Sequence, residues 1–298
     1  MVLVKTYSFL VLCVLFWSGN FVLGRFVKDD IEPLELAFFR WLFVLVIISP
    51  VLIKNYSKIF RVVKENFLII LLLSILGISS FNTILYFGLS MTTSTNALII
   101  NSSVPILILV LSFVILKQKI TANQNFGILL STVGVLYLVL QGKFENILLL
   151  EFNQGDIWVI TSSFIWALYS VLMKFKPKEF NDVEFFAVIV FFGFTALLPV
   201  YFYQGYTIAH ELELLKSNYF VFIYVSVFAS TLSFYFWHYG IDKIGASKTG
   251  QFTHLMPLFG AFLAYIFLGE VLKIYHILGM ALIFIGIYLS LFYKPRTN

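Results

Sequence analysis

Long apolar runs recur along all 298 residues, and runs of that kind have few ways to fold. A bilayer core of about 30 Å takes about 20 predominantly apolar residues per helical crossing. Ten stretches suit such a crossing: 7–27, 34–53, 67–89, 94–116, 124–141, 156–174, 183–203, 218–240, 247–268 and 274–293. Within lipid, every backbone N–H and C=O needs an internal partner, so these runs are expected as helices. A barrel would alternate over segments of about ten residues, and Phe67 to Ile78 does not alternate.

Composition closes the remaining routes. Only 12% of residues are charged, about half the share of a soluble domain, while 60% are hydrophobic. Such a chain is too apolar for disorder. Its one cysteine, Cys13, has no intrachain partner for a disulfide. The run behind Lys5 is longer than the about 7–15 apolar residues of a secretory signal and lacks a small-x-small site after it, so an uncleaved first helix is expected.

Orientation follows the basic residues of the connections. With a cytoplasmic N-terminus, the inner segments hold Lys5, Lys54, Lys58, Arg61, Lys64, Lys117, Lys119, Lys174, Lys176, Lys178, Lys243, Lys248, Lys294 and Arg296. The outer ones hold Arg25, Lys28, Lys143, Lys216 and Lys273. Fourteen against five puts both termini inside. The net charge of +5 is then a matter of topology, and no nucleic-acid partner is expected.

The chain also contains an internal echo. A shift of 149 residues carries Trp17 onto Trp166, Arg25 onto Lys174, Glu35 onto Glu184 and Pro50 onto Pro199. A shift of 152 carries Gly88 onto Gly240, Pro105 onto Pro257, Gly127 onto Gly279 and Gly134 onto Gly286. The expected organisation is a first five-helix repeat at 7–141, a linker at 142–155 and a second repeat at 156–293. Five crossings per repeat make the second start on the opposite side of the membrane, so the halves are expected to be inverted around a central cavity. Inverted repeats suit a carrier with inward-open and outward-open states.

Phe16-Trp17-Ser18-Gly19-Asn20-Phe21 resembles the opening motif of EamA-type carriers of the drug/metabolite transporter superfamily. Pro33 to Arg40, ending Phe38-Phe39-Arg40, looks like the start of that family's second helix, and Trp166-Ala167-Leu168-Tyr169-Ser170 is similar to the opening of its second repeat. Gly245-Ala246-Ser247, Met256-Pro257 and Leu268-Gly269-Glu270 resemble its ninth helix and Gly-Glu ending. The first half departs from this, with Leu116-Lys117-Gln118-Lys119 where the second has the Gly-Glu pair. The resemblance implies ten helices in two inverted halves, and export of amino acids, metabolites or drugs across a bacterial inner membrane.

Ionisable groups inside a span are costly and so point to function. Glu35, Glu184, Asp156, Asp242 and Glu270 all fall at span ends or loops, which argues against a deep coupling carboxylate. Arg40 lies six residues past Leu34, about 9 Å into its helix at 1.5 Å per residue. Three roles fit it: binding a substrate carboxylate, joining two helices, or snorkelling outward to Glu32, Glu35 or headgroups. Trp17, Asn20, Trp166 and Tyr169 sit at matching places and form either an aromatic and amide grip on a solute or a helix-packing seam. Asn101 precedes Pro105, and Gln251 and His254 precede Pro257, so each proline is expected to interrupt a helix beside polar groups. His254 is a candidate for polar contact or protonation, or a satisfied packing residue. Tyr86 and His238 match across the repeats near span ends and suggest gate or interface roles rather than a central site.

No HExxH, G-x-S-x-G, P-loop or Cys/His cluster occurs, so neither enzyme nor metal nor cofactor is expected. His210 and His276 read as surface residues. The expected partners are a small organic solute and the bilayer, with monomer and homodimer both compatible. A carrier is favoured over a membrane enzyme on lipid-linked substrates and over a non-transporting scaffold.

Overall fold

The computed structural model describes residues 2–268 and 273–291, which form helices joined by short connections and no strand. Gly269, Glu270, Lys294, Arg296 and the end of the expected last span lie outside the described residues. In order, α1 is Val2–Phe26, α2 Pro33–Lys54, α3 Tyr56–Ser74, α4 Phe81–Met91, α5 Ser94–Asn101, α6 Val104–Leu116, α7 Ala122–Val139 and α8 Gln154–Leu172. They are followed by α9 Asp182–Tyr203, α10 Ile208–Ser217, α11 Tyr219–Ile223, α12 Ser233–Ile244, α13 Ala246–Gly250, α14 Met256–Leu268 and α15 Ile274–Leu291. Among the described residues, nine helical stretches are long and apolar enough to cross a membrane. Their outward faces carry bare apolar side chains such as Leu68 and Phe202, as a lipid-facing surface requires. The protein is a multi-pass membrane protein.

Helix starts follow local chemistry. Glu32 with Glu35, Thr121 with Gln124, Asn153 with Asp156 and Asn181 with Glu184 each form a reciprocal capping box. Each box satisfies two otherwise orphaned N–H groups. Pro33 opens α2 at a position whose N–H has no helical partner anyway.

Four expected spans are not uniform helices. A π-helical segment, Ile75–Ser80, joins α3 to α4, and a second, Tyr224–Leu232, joins α11 to α12. Hydroxyls support the wider turn of the second: Ser230, Thr231 and Ser233 donate to the carbonyls of Val225, Ser226 and Phe228, five residues back, at 2.6, 2.9 and 2.8 Å. The expected 94–116 span breaks at Ser102-Ser103 between α5 and α6. The expected 247–268 span breaks at a 3-10 turn, Gln251–Leu255, between α13 and α14. Pro105 and Pro257 were expected inside helices but lie in the first turns of α6 and α14. There a missing N–H costs nothing, so the break precedes each proline.

Elements of the two halves correspond closely. A shift of 152 carries α6 onto α14 and α7 onto α15 end to end, and carries Ile75–Ser80 into the second π segment. α4 packs on α8 as α12 packs on α1, and α2 packs on α9. Gly88 lies against Val159, and their matched residues, Gly240 and Leu10, lie against each other. Along α7 and α15, Gly127 faces Gly286 while Gly134 faces Gly279, so these matched helices run antiparallel at backbone contact.

Candidate functional site

Arg40 sits on the buried face of α2 and is 1% exposed. Its Nη1 donates to Tyr86 Oη at 2.8 Å and Asn20 Oδ1 at 3.3 Å, and its Nη2 to the Ala229 carbonyl at 2.9 Å. Its Nε donates to Ser230 Oγ. Tyr86 passes the network on, donating to Asn20 Oδ1 at 2.8 Å. The guanidinium therefore ties α2 to α1, α4 and the second π segment, and does not snorkel. Every acceptor is a neutral oxygen, and among the described residues Arg40 forms no ion pair. A buried cation without a counter-charge is held at a desolvation cost of several kcal/mol, about what strong hydrogen bonds must offset.

The second half repeats part of this arrangement. The shift that carries Trp17 onto Trp166 carries Asn20 onto Tyr169, and the shift for Gly88 carries Tyr86 onto His238. As Asn20 meets Tyr86, so Tyr169 Oη meets His238 Nε2 at 2.5 Å. The position matched to Arg40 is Ile189, so the charge belongs to one half alone. Tyr86 and His238 were expected near span ends. Both side chains are buried, and α4 runs on to Met91 and α12 to Ile244, a few residues past the expected span ends. Tyr86 is a direct partner of Arg40, and His238 is fully buried.

Between the two pairs stands a block of indoles. Trp17 lies 5.1 Å from Trp166 and 5.0 Å from Trp237, ring centre to ring centre, and Phe81 lies 4.5 Å from Trp166. Trp17 Nε1 donates to Ala229 O, the carbonyl that also accepts from Arg40. The three indoles are buried, and Phe81 is partly buried against them. Aromatic planes fill space efficiently when helices meet through small residues; Gly77 lies against the Tyr169 ring. One cavity opens on an outer face, around Leu52, Tyr56 and Phe60. Sequence reading missed Trp237; its only signal was an indole inside an apolar run.

The residues around the two helix breaks form a neighbouring group. His254 is fully buried, with Ser131 Oγ 2.7 Å from Nδ1 and the Ser102 carbonyl accepting from Nε2 at 3.0 Å. A neutral imidazole meets both partners. Asn101 Nδ2 reaches Met256 Sδ at 3.4 Å. Gln251 is 1% exposed, and neither amide atom has a partner. Ser18, beside Trp17, donates to the Met256 carbonyl at 3.1 Å and so joins this group to the indoles.

Two further contacts escaped sequence reading. Glu184 of α9 accepts from Lys58 of α3 at 2.6 Å, and its match, Glu35 of α2, meets His210 of α10 at 2.7 Å. Each acid caps its own helix while holding a basic side chain from the other half. His210, expected as an isolated surface residue, is thus a partner of a buried carboxylate. His210 itself stays on the surface, 52% exposed; His276, also expected there, is instead buried at 8% exposed, and its Nδ1 accepts from the Lys273 N–H. Nearby, Tyr206 donates to Glu32, and burial together with that carboxylate holds its phenol well above the usual range. Among the described residues, no three His, Cys, Asp or Glu side chains gather to hold a metal.

The family model of the EamA-like transporter family matches residues 4–140 and 153–292. The uncharacterized transporter YyaM of Bacillus subtilis is 26% identical over 92% of this chain and 89% of its own length. YetK, another uncharacterized transporter of that organism, is 25% identical over 94% of this chain and 85% of its own. An uncharacterized transporter of Archaeoglobus fulgidus is 26% identical over 96% and 97% respectively. A solved crystal structure shares the fold with a TM-score of 0.72 at 15% identity, each chain covered to 96%.

Proposed function

The chain belongs to the EamA-like transporter family, and from that premise we propose that it is a secondary carrier for small organic solutes such as metabolites, amino acids or drugs. It exports them across a bacterial inner membrane by alternating access, with both termini in the cytoplasm. Ten crossings form two inverted halves, the fourth crossing of each being the broken pair α5–α6 or α13–α14.

The observation that carries this reading is the antiparallel crossing of α7 and α15. These helices are repeat mates, and Gly127 meets Gly286 as Gly134 meets Gly279. A rotation that exchanges two antiparallel crossing helices has its axis in the membrane plane, which is the relation alternating access uses. The matched contacts Glu184–Lys58 and Glu35–His210 then stand at opposite ends of the bundle, with the Arg40 network and the indoles between them. In this reading the end contacts part alternately, while Trp17, Asn20, Arg40, Trp166 and Tyr169 take the solute, joined by Asn101, Gln251 and His254. Tyr86, Pro105, His238 and Pro257 mark the segments that move.

Reconstitution into vesicles preloaded with members of a metabolite library tests it. A carrier gives saturable counterflow of at least one solute. Conductance without saturation, or no exchange with any preload, refutes carriage.

A further inference from the structure

Around Arg40 the buried hydrogen-bonding groups are out of balance. A guanidinium has five N–H donors. Four are engaged here, all by neutral oxygens, and one Nη2 hydrogen has no acceptor among the described residues. Two more buried donors nearby are idle. Asn82 Nδ2 lacks a partner and lies one turn before Tyr86 on the same face of α4. Trp166 Nε1 lacks one too, in the indole block that touches Trp17. A buried donor left without an acceptor is costly, because its desolvation is uncompensated. Asn82 shares α4 with Tyr86, and Trp166 touches Trp17, whose indole shares the Ala229 carbonyl with Arg40, so the groups next to this uncompensated cation are short of acceptors and of negative charge.

We propose that the Arg40 site binds the carboxylate of an organic acid that bears an apolar or aromatic body and no ammonium group. A carboxylate supplies the missing charge and about four acceptor positions, and a guanidinium takes it in a two-pronged grip. To reach Arg40 it displaces Tyr86 and Asn20, whose oxygens hold the guanidinium when no solute is present. The π segment helps the exchange. Ala229 O and Ser230 Oγ stay with Arg40 from one side, so the arginine keeps its place while α1 and α4 yield. The body of the acid then lies among Trp17, Trp166, Trp237 and Phe81.

The absence of an ammonium group follows from the same inventory. Among the described residues no carboxylate lies within ion-pair distance of Arg40, and Glu35 of the same helix is taken by His210 and the Glu32 N–H. An α-ammonium brought beside Arg40 meets like charge and no acid. The site thereby separates simple carboxylic acids from amino acids and amines.

This inference rests on the carrier reading, and one set of probes tells the two apart. The full chain in vesicles is assayed for counterflow of phenylacetate, its neutral isostere phenylacetamide, phenylalanine and phenethylamine. Phenylacetate is expected to exceed phenylacetamide in kcat/KM at least tenfold, with phenylalanine and phenethylamine at background. In Arg40→Gln the preference for phenylacetate over phenylacetamide falls below twofold, whereas Arg40→Lys keeps part of it. A purely structural arginine would lower both rates together and leave their ratio alone; that result overturns the proposal. Equal exchange of phenylalanine or phenethylamine by the native protein also overturns it, as does counterflow confined to cationic or neutral library members, and in these cases carriage stands. Loss of all counterflow for every library solute removes the carrier reading instead. Should Arg40→Gln fail to fold, quenching of tryptophan fluorescence in the native protein decides. Tighter binding of phenylacetate than phenylacetamide by tenfold supports the assignment, and equal binding overturns it.

Discussion

Gly286→Ala measures how close the crossing of α7 and α15 is. A Cβ at that position would stand 2.5 Å from Gly127 O, 2.6 Å from Ser131 N and 2.8 Å from Ser131 Cβ. Ordinary contact starts at 3.4 Å, so the oxygen clash is 0.9 Å too short, and backbone atoms cannot swing aside as a side-chain tip can. The helices must part, and a gap of about 0.5–1 Å forfeits about a quarter to a half of each atom pair's attraction along the seam. Overpacking of this kind costs about 1–3 kcal/mol. Alanine also favours a helix over glycine by about 1 kcal/mol, which would hide part of the loss. Gly260→Ala removes that ambiguity: Gly260 is inside α14 and a Cβ there meets nothing within 4 Å. The propensity gain is common to both variants, so their difference is steric. Thermal unfolding in detergent should place Gly286→Ala about 2–6 °C below Gly260→Ala, at about 2 °C per kcal/mol for a chain of this size. A double variant with Gly127→Ala should lose less than the two singles added, because one separation relieves both clashes. If Gly286→Ala melts with or above Gly260→Ala, the helices do not touch through their backbones, and the chief support for the inverted arrangement goes with them.

Other outcomes follow from the same geometry. On the proposed inverted arrangement, Lys58→Met and His210→Gln release matched acids at opposite ends, so cysteines placed beside Glu184 and Glu35 should each become more reactive only in the variant at their own end; Cys13, fully buried, gives little background. Equal reactivity in both variants would show that these contacts do not hold the ends shut. Tyr86→Phe removes an acceptor from Arg40 and a donor to Asn20, costing about 2–3 kcal/mol of folded-state stability, since bonds to a charged group contribute about 1.5–3; a melting point within 1 °C of native, on an order-of-magnitude scale of about 2 °C per kcal/mol, would contradict the network. His254→Gln should slow turnover without altering its pH profile, because Ser131 and Ser102 already satisfy a neutral ring. A flattened profile would instead make His254 the proton carrier.

The sequence by itself determined that this chain is a helical, multi-pass membrane protein, and it carries an internal echo of Gly, Pro and Trp positions. Each of these is a local or periodic property: an apolar run either is long enough to cross lipid or is not, and Gly88 falls on Gly240 whatever the fold. The spacing of Pro105 and Pro257 likewise gave the place of the helix breaks, though a proline marks a break without saying on which side of it the helix starts. Arg40 stood out as a charge in an apolar run, but which of three roles it takes depended on partners 20, 46 and 190 residues away in sequence. Its companions could not be read from the chain. Tyr86 and His238 sit near the expected span ends, and only tertiary packing shows them buried against Arg40 and Tyr169. Lys58 and His210 looked like loop charges until packing brought each to the capping acid of the opposite half. Pairing across halves is a property of the tertiary arrangement, because it depends on which helix faces meet, and in a chain this uniformly apolar the pattern of hydrophobicity does not distinguish a face turned to lipid from one turned to another helix.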